Sequence, residues 1–171
     1  MQGHCFSLRP FRKGDEEQLI HLMKDKEIHN NTGRIPYPYT MKAANMWLDH
    51  CSKVEQSKEA VEFAITQNDE VIGAIGCQLA GENPEIGYWL GKQFWGKGIT
   101  SEAVSLMIKH LFKHTDLQNN FATALPQNLA SIRVLQKNGF AYERHIKRFA
   151  TGHNKEVALN TYRKYRVQQG E

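Results

Sequence analysis

The chain has 171 residues, 40% of them hydrophobic and 23% charged, which is the composition of a single globular domain with a two-layer core spanning 1–171. A net charge of +4 favours anionic ligands but falls short of the basic excess that would argue for nucleic acid, and no apolar run approaches the roughly 18 residues needed to cross a bilayer. Cys5, Cys51 and Cys77 are odd in number and widely spaced, so neither a disulfide framework nor a zinc site is expected; with no signal-peptide pattern at the start, the expected setting is the reducing cytoplasm.

Phe6 and Leu8 alternate with polar neighbours before Pro10, a short strand signal. From Asp15 an acidic first turn leads into Leu19, Leu22 and Met23, the pattern of an amphipathic helix that runs to Asn30-Asn31-Thr32-Gly33. Two prolines hold Arg34-Ile35-Pro36-Tyr37-Pro38-Tyr39 as an extended aromatic loop, and Thr40 can cap a second helix with Ala44, Trp47, Leu48 and Cys51 on one side. The runs 60–66 and 71–79 read as a hairpin turning at Gln67-Asn68-Asp69-Glu70. Gly81-Glu82-Asn83-Pro84 then turns the chain into an aromatic strand, 85–90, followed by a glycine loop and a helix from Gly98 with Ala103, Leu106, Met107, His110 and Leu111 at core spacing. A strand over 120–125 precedes Pro126-Gln127-Asn128, which opens a helix carrying Leu129, Ile132 and Leu135 and closed by Asn138-Gly139. A terminal hairpin, 140–149 and 155–166, turns at Thr151-Gly152-His153-Asn154. Its basic runs 144–148 and 163–166 read as solvated strand faces, or as a surface for a substrate or ribosome. The order β α α β β β α β α β β predicts a mixed α+β fold rather than a doubly wound sheet.

Strand, glycine loop and helix start together form an anion site, because amides of a helix's first turn lack internal partners. Gly91, Gly96 and Lys97 fit a P-loop spacing, but Gly98 stands where the magnesium-binding hydroxyl belongs. A dinucleotide fingerprint fails at Ser101, which replaces its third glycine. Glycines serving only a tight turn are the remaining plain alternative.

The third pattern is Gln93-x-x-Gly96-x-Gly98, between a Gly-Tyr-Trp-Leu strand and a Thr-Ser-Glu-Ala helix start. With Asn128-x-x-Ser131 and Lys137-Asn138-Gly139-Phe140 downstream, the chain resembles the GCN5-related N-acetyltransferase family over nearly its whole length. The Pro36-Tyr37-Pro38-Tyr39-Thr40 loop followed by Trp47 is similar to the RimJ/RimL-like branch that acetylates ribosomal-protein N-termini. The resemblance implies a central, mostly antiparallel twisted sheet of about seven strands flanked by about four helices. It implies acetyl-CoA as co-substrate, with the pyrophosphate on the backbone of Gly96, Lys97, Gly98, Ile99 and Thr100, beside Gln93 and Trp95. The pantetheine arm would lie along Tyr88, Trp89 and Leu90, where a backbone N–H can serve the thioester oxyanion, and Asn128 would hydrogen-bond it from across, although Asn128 also reads as a helix cap. Lys97 adds a cation or is simply solvated.

The implied reaction is direct attack of an amine on the thioester. A neutral α-amine, with a reference pKa of about 7.7–8.0, is about 3–4 kcal/mol easier to obtain near neutral pH than a neutral lysine at about 10.4. Glu85 is the candidate base, unless it only solubilises the strand start; Glu156 is second. Many family members carry a tyrosine acid seven residues after the asparagine, where this chain has Leu135, so Ser131 is the candidate acid, or else an ordinary helix hydroxyl. Tyr37, Tyr39 and Trp47 are candidates for lining the acceptor pocket or for packing beneath it. His110 and His114 make only two ligands, so no metal is expected, and Cys77 reads as core. The expected acceptor is a protein or peptide N-terminal amine. A small-molecule amine such as an antibiotic or polyamine, or a CoA-binding ribosome-associated module without turnover, are the alternatives, and a monomer or homodimer is expected without nucleic acid or membrane.

Overall fold

The computed structural model describes residues 1–80 and 84–167, and seven strands form: β1 (Ser7–Arg9), β2 (Ala60–Gln67), β3 (Glu70–Gln78), β4 (Glu85–Leu90), β5 (Asn119–Ala124), β6 (Ala141–Ala150) and β7 (Lys155–Tyr165). They make one sheet in the order β1-β2-β3-β4-β5-β7-β6, antiparallel throughout except where β4 meets β5. Tight turns set the hairpin registers. Asn68 and Asp69 both take left-handed backbone (φ 50° and 69°), the twist a two-residue hairpin needs. The turn expected at 81–84 lies, apart from Pro84, outside the described residues.

Helices α1 (Glu16–Leu22), α2 (Lys26–Asn30) and α3 (Met41–Ser57) cover one face of the sheet; α4 (Ile99–His114) and α5 (Leu129–Lys137) cover the other. Strand alternation sorts the side chains between them. On β4, Ile86, Tyr88 and Leu90 face the main core with Ala103, Met107 and Leu111 of α4, while Trp89 joins Leu19, Leu22, Val71 and Trp47 on the α1–α3 face.

Three expectations change. The helix expected from Asp15 to Asn30 is broken in two, because the Asp25 side chain accepts from the Glu27 N–H and starts a new helix instead of continuing the old one. Among the described residues this gives five α-helices where about four were expected. The buried stripe of α4 runs through Val104 and Ile108 and leaves His110 at its margin, packed edge-on to Phe63. On α5, Leu135 is buried but Leu129, in the first turn, points into solvent.

One tether crosses between distant parts of the chain. Gly152, in the β6–β7 turn, donates its N–H to the Gly33 carbonyl (3.0 Å), and His153 Nε2 donates to the Thr32 carbonyl (2.7 Å). His29 Nδ1 donates to the Ile35 carbonyl (2.8 Å), and its ring contacts that of His153 at a tilt of 44°, centroids 4.1 Å apart. A Cβ at position 152 would meet the Ile35 carbonyl oxygen at 2.5 Å, so the approach requires glycine.

Asn120 on β5 is fully buried, and neither its Oδ1 nor its Nδ2 has a partner among the described residues. Leaving buried amide groups unpaired costs about 1–3 kcal/mol. Asn120→Val is therefore expected to stabilise the fold by about 1 kcal/mol in urea titration. A loss of stability would show instead that an internal water satisfies the amide.

Candidate active site

Leu90 ends β4, and a 3-10 turn (Lys92–Phe94) leads into the glycine loop. Gly96 and Gly98 both have left-handed backbone (φ 75° and 78°), and a Cβ built on either meets nothing within 4 Å. The loop is thus an open cradle of bare backbone. Gly98 caps α4 without a side-chain hydrogen bond, and the Glu102 N–H is the first to close an intrahelical bond, to Gly98 O at 3.1 Å. The N–H groups of Ile99, Thr100 and Ser101 are left for an anion. Ile99 itself is buried in the core, so it can offer the loop only its backbone. Lys97 Nζ sits 5.5 Å from the centre of the Phe94 ring, and Gln93 lies exposed at the loop's start.

Beside the cradle the sheet opens. Parallel pairing of β4 with β5 extends only over Glu85↔Phe121 and Ile86↔Ala122. The Gly91 N–H bonds to Ile72 O on β3 (2.8 Å), so by strand alternation Tyr88 and Leu90 direct their backbone groups toward β5, where the ladder has stopped. Trp95 Nε1 donates to the Leu90 carbonyl at 2.7 Å, and among the described residues Tyr88 has no ladder partner on β5.

The Tyr88 phenol lies 2.9 Å from Ser131 Oγ, and burial pushes its pKa up to about 12, so it stays a neutral donor. Asn128 Oδ1 accepts from the Ser131 N–H (3.1 Å) as the N-cap of α5, with its Nδ2 left over for another partner. Tyr88, Asn128 and Ser131 thus converge on the mouth of the splay.

Glu85 lies on the other face, at the start of β4. Arg148 Nη1 donates to both its oxygens (2.8 and 2.9 Å), Thr123 Oγ1 donates to Oε1 (2.9 Å), and Arg34 Nη2 stands 3.7 Å from Oε2. Its lone pairs are heavily engaged. Sequence reasoning passed over a second carboxylate on this face, Glu62 of β2. Its cross-strand partner is Gly76 on β3, whose partner in turn is Gly87 on β4. Nothing lies within 4 Å of a Cβ placed on Gly87. Burial raises Glu62 to about pH 7, opposed by the positive charge of Arg34. The signal available in the sequence was one Glu inside the otherwise apolar run 60–65.

The acceptor candidates separate. Tyr39 and Trp47 pack into the α1–α3 cluster, Trp47 edge-on to Phe11 at 5.8 Å, and burial pushes the Tyr39 hydroxyl up to about 12. Tyr37 is exposed, near His29 and the Lys26 ammonium. Glu156 lies exposed on the terminal hairpin, opposite Phe149. Among the described residues no group of three or more metal-ligating side chains forms, and no helix is long and apolar enough to cross a membrane.

A strand edge freed beside an uncapped helix N-terminus offers backbone donors to an extended, anionic ligand, and comparison with known proteins gives the class of protein. Residues 6–141 match the family model for the acetyltransferase (GNAT) domain, and the chain belongs to that family. It is 30% identical over 142 residues to the uncharacterized N-acetyltransferase p20 of Bacillus licheniformis, covering 80% of this chain and 79% of that one. It is 32% identical over 97 residues to the ribosomal-protein-serine acetyltransferase of Escherichia coli (strain K12), covering 55% and 54%. In structure it is similar to RimL, a ribosomal L7/L12 alpha-N-protein acetyltransferase solved with coenzyme A, at a TM-score of 0.83 and 19% identity over 95% of both chains. The chain is thus an acetyl-CoA-dependent N-acetyltransferase with RimJ/RimL-like architecture. Its own geometry fits the co-substrate: a phosphate can approach the open left-handed glycines, and an extended arm can follow the β4 edge.

Proposed function

We propose that the chain moves the acetyl group of acetyl-CoA onto the α-amine of a peptide or protein N-terminus, a ribosomal protein being the leading candidate and the cytoplasm the place. The observation that carries this reading is the free Tyr88 edge, set between the glycine cradle and the open face at Gly87. In this reading the amides from Gly96 to Ser101 hold the pyrophosphate, and β4 extends its ladder along the pantetheine arm while Asn128 Nδ2 reaches it from α5. The Tyr88 N–H donates to the thioester oxygen, a contact of a kind worth about 3–4 kcal/mol in acyl transfer. The amine nitrogen bonds to the carbonyl carbon as the C–S bond breaks. One amine proton goes to a carboxylate of the α1–α3 face, and the Ser131 hydroxyl, backed by Tyr88, supplies a proton to the departing sulfur.

Two features support an N-terminal acceptor. The solved neighbour RimL is an alpha-N-protein acetyltransferase. The amine that ionises nearest neutrality also needs the least help in losing its proton. Rates of CoA release test the reading across peptides with free or blocked N-termini, lysine and a polyamine. Free α-amine peptides are expected to react at least about tenfold faster than the rest, a gap set by the basicity difference. Faster turnover of the polyamine would replace this reading with small-amine acetylation. Ser131→Ala is expected to lower kcat about tenfold while acetyl-CoA affinity holds, because a thiolate needs little acid assistance to leave. An unchanged kcat would remove Ser131 from the reaction.

A further inference from the structure

We propose that Glu62 is the carboxylate that takes the acceptor amine's proton, and that the bare trough over Gly76 and Gly87 is where that amine sits. This rests on the acetyltransferase reading above and assigns within it a role that the position of Glu85 at the head of β4 would suggest for Glu85.

Glu62, Gly76 and Gly87 lie in register on three adjacent strands. Side chains directly opposite one another share a face, and this is the face of Ala64, Trp89 and α3. The Glu62 carboxylate folds over the neighbouring strand: Oε2, Cδ and Oε1 are the three nearest atoms to a Cβ built on Gly76. Any side chain at 76 would expel it. Strands stand about 4.8 Å apart, so a carboxylate lying over β3 is one spacing from Gly87 on β4. Gly87 follows the last β4–β5 pair, Ile86↔Ala122, and is where the splay begins. With no side chain at 87 and, its chain neighbours apart, no atom of the described residues within 4 Å of its missing Cβ, an amine can reach the Tyr88 edge from this side.

The two carboxylates differ in what already holds them. Glu85 is bound by Arg148 and Thr123 with Arg34 nearby, and a proton would have to displace those donors. Glu62 accepts no hydrogen bond from the described residues. The ionisable groups around it are Arg34 on the loop before α3, Cys51 of α3 and Cys77 of β3. Beyond them, Glu55 and Tyr39 interact electrostatically with Cys51, and Glu85 does so with Cys77 across the sheet. Among the described residues Arg34 is the cation that acts on Glu62, and it is three-quarters exposed, so burial prevails and the carboxyl ionises near neutrality. A base poised there suits an α-amine and is too weak for lysine. In the transfer, the nitrogen bonds to the acyl carbon, the C–S bond breaks, Glu62 takes the nitrogen's proton and the thiolate is protonated from the Ser131 side. The Glu85–Arg148 pair acts as a positioning clamp between β4 and β6.

The test compares pH profiles of kcat/KM for an N-terminal peptide in the wild type, Glu62→Gln, Glu85→Gln and Gly76→Ala, with acetyl-CoA binding measured by calorimetry. Glu62→Gln is expected to bind acetyl-CoA like the wild type, to lose about 100-fold in kcat/KM at neutral pH, and to lose the limb centred at about 7, keeping only the limb of the substrate amine. Glu85→Gln is expected to run slower and keep the limb at about 7. Gly76→Ala, which displaces the carboxylate without removing it, is expected to shift that limb and cost at least about tenfold, and it covers the case of a Glu62 variant that folds poorly. The proposal is overturned if Glu62→Gln keeps both rate and limb, or if the limb disappears in Glu85→Gln instead. A wild type that neither binds acetyl-CoA nor releases CoA would overturn the acetyltransferase reading itself.

Discussion

Gly96→Asp is expected to weaken acetyl-CoA binding by about 1,000-fold in calorimetry without changing the fold. Two costs arise, and their sizes separate them. Position 96 is left-handed (φ 75°), which costs a residue with a Cβ about 1 kcal/mol, less for Asp, whose short polar side chain tolerates that region. The larger cost is charge. A carboxylate about 4 Å from a phosphate oxygen repels it by about 4 kcal/mol at the effective dielectric of a protein surface. Gly96→Ala isolates the first cost: its methyl enters space with nothing within 4 Å and should lose no more than about tenfold. Because the loop is exposed, the melting temperature of both variants should stay near the wild type's. Wild-type affinity in Gly96→Asp would rule out the loop as a phosphate cradle.

Glu62→Gln is expected to make the protein more stable at pH 8 and to leave it almost unchanged at pH 4.5. In the folded chain the carboxyl ionises at about 7, against 4.5 for an unperturbed glutamate. A raised carboxyl pKa means that the folded state binds the proton more tightly than the unfolded one. The associated stability is fully present below pH 4.5 and is lost as pH rises through about 7. The full shift corresponds to about 3 kcal/mol, and about 2 is a better expectation because the side chain keeps some contact with water. For a chain of this length that amounts to a rise of about 4–8 °C in Tm at pH 8. Urea titrations at the two pH values measure it, and equal stabilisation at both would mean that the carboxylate is not desolvated. A variant at once more stable and less active would mark Glu62 as a group kept at a cost to the fold.

The parts legible in the sequence were the local ones. Turns announce themselves by residue type, so the hairpins at 67–70 and 151–154 and the left-handed cap at Gly139 stood out. The glycine cradle and the Asn128–Ser131 helix start are likewise short segments whose chemistry is contained in their own spacing. The break at Asp25 was missed because apolar periodicity continues through it while a side-chain cap competes with the helix. What sequence spacing could not supply was register. Glu62, Gly76 and Gly87 become one trough only when three strands align, and each glycine taken alone is ordinary. The Arg148–Glu85 pair joins residues 63 apart, so Arg148 read merely as part of a basic strand face. Tyr88 was legible as a backbone edge, whereas its phenol's contact with Ser131 depends on how α5 packs against β4.

The tether between the loop after α2 and the β6–β7 turn holds together two segments 121 residues apart at Thr32 and His153. Thr32, Gly33 and Ile35 are joined to Gly152, His153 and His29, and Arg34 and Arg148 close on Glu85 from the two sides. The loop after α2, the head of β4 and the β6–β7 hairpin are therefore linked to one another beside the open face. In the N-terminal reading proposed above, a rim linked in this way would admit a chain end more readily than a residue inside a helix.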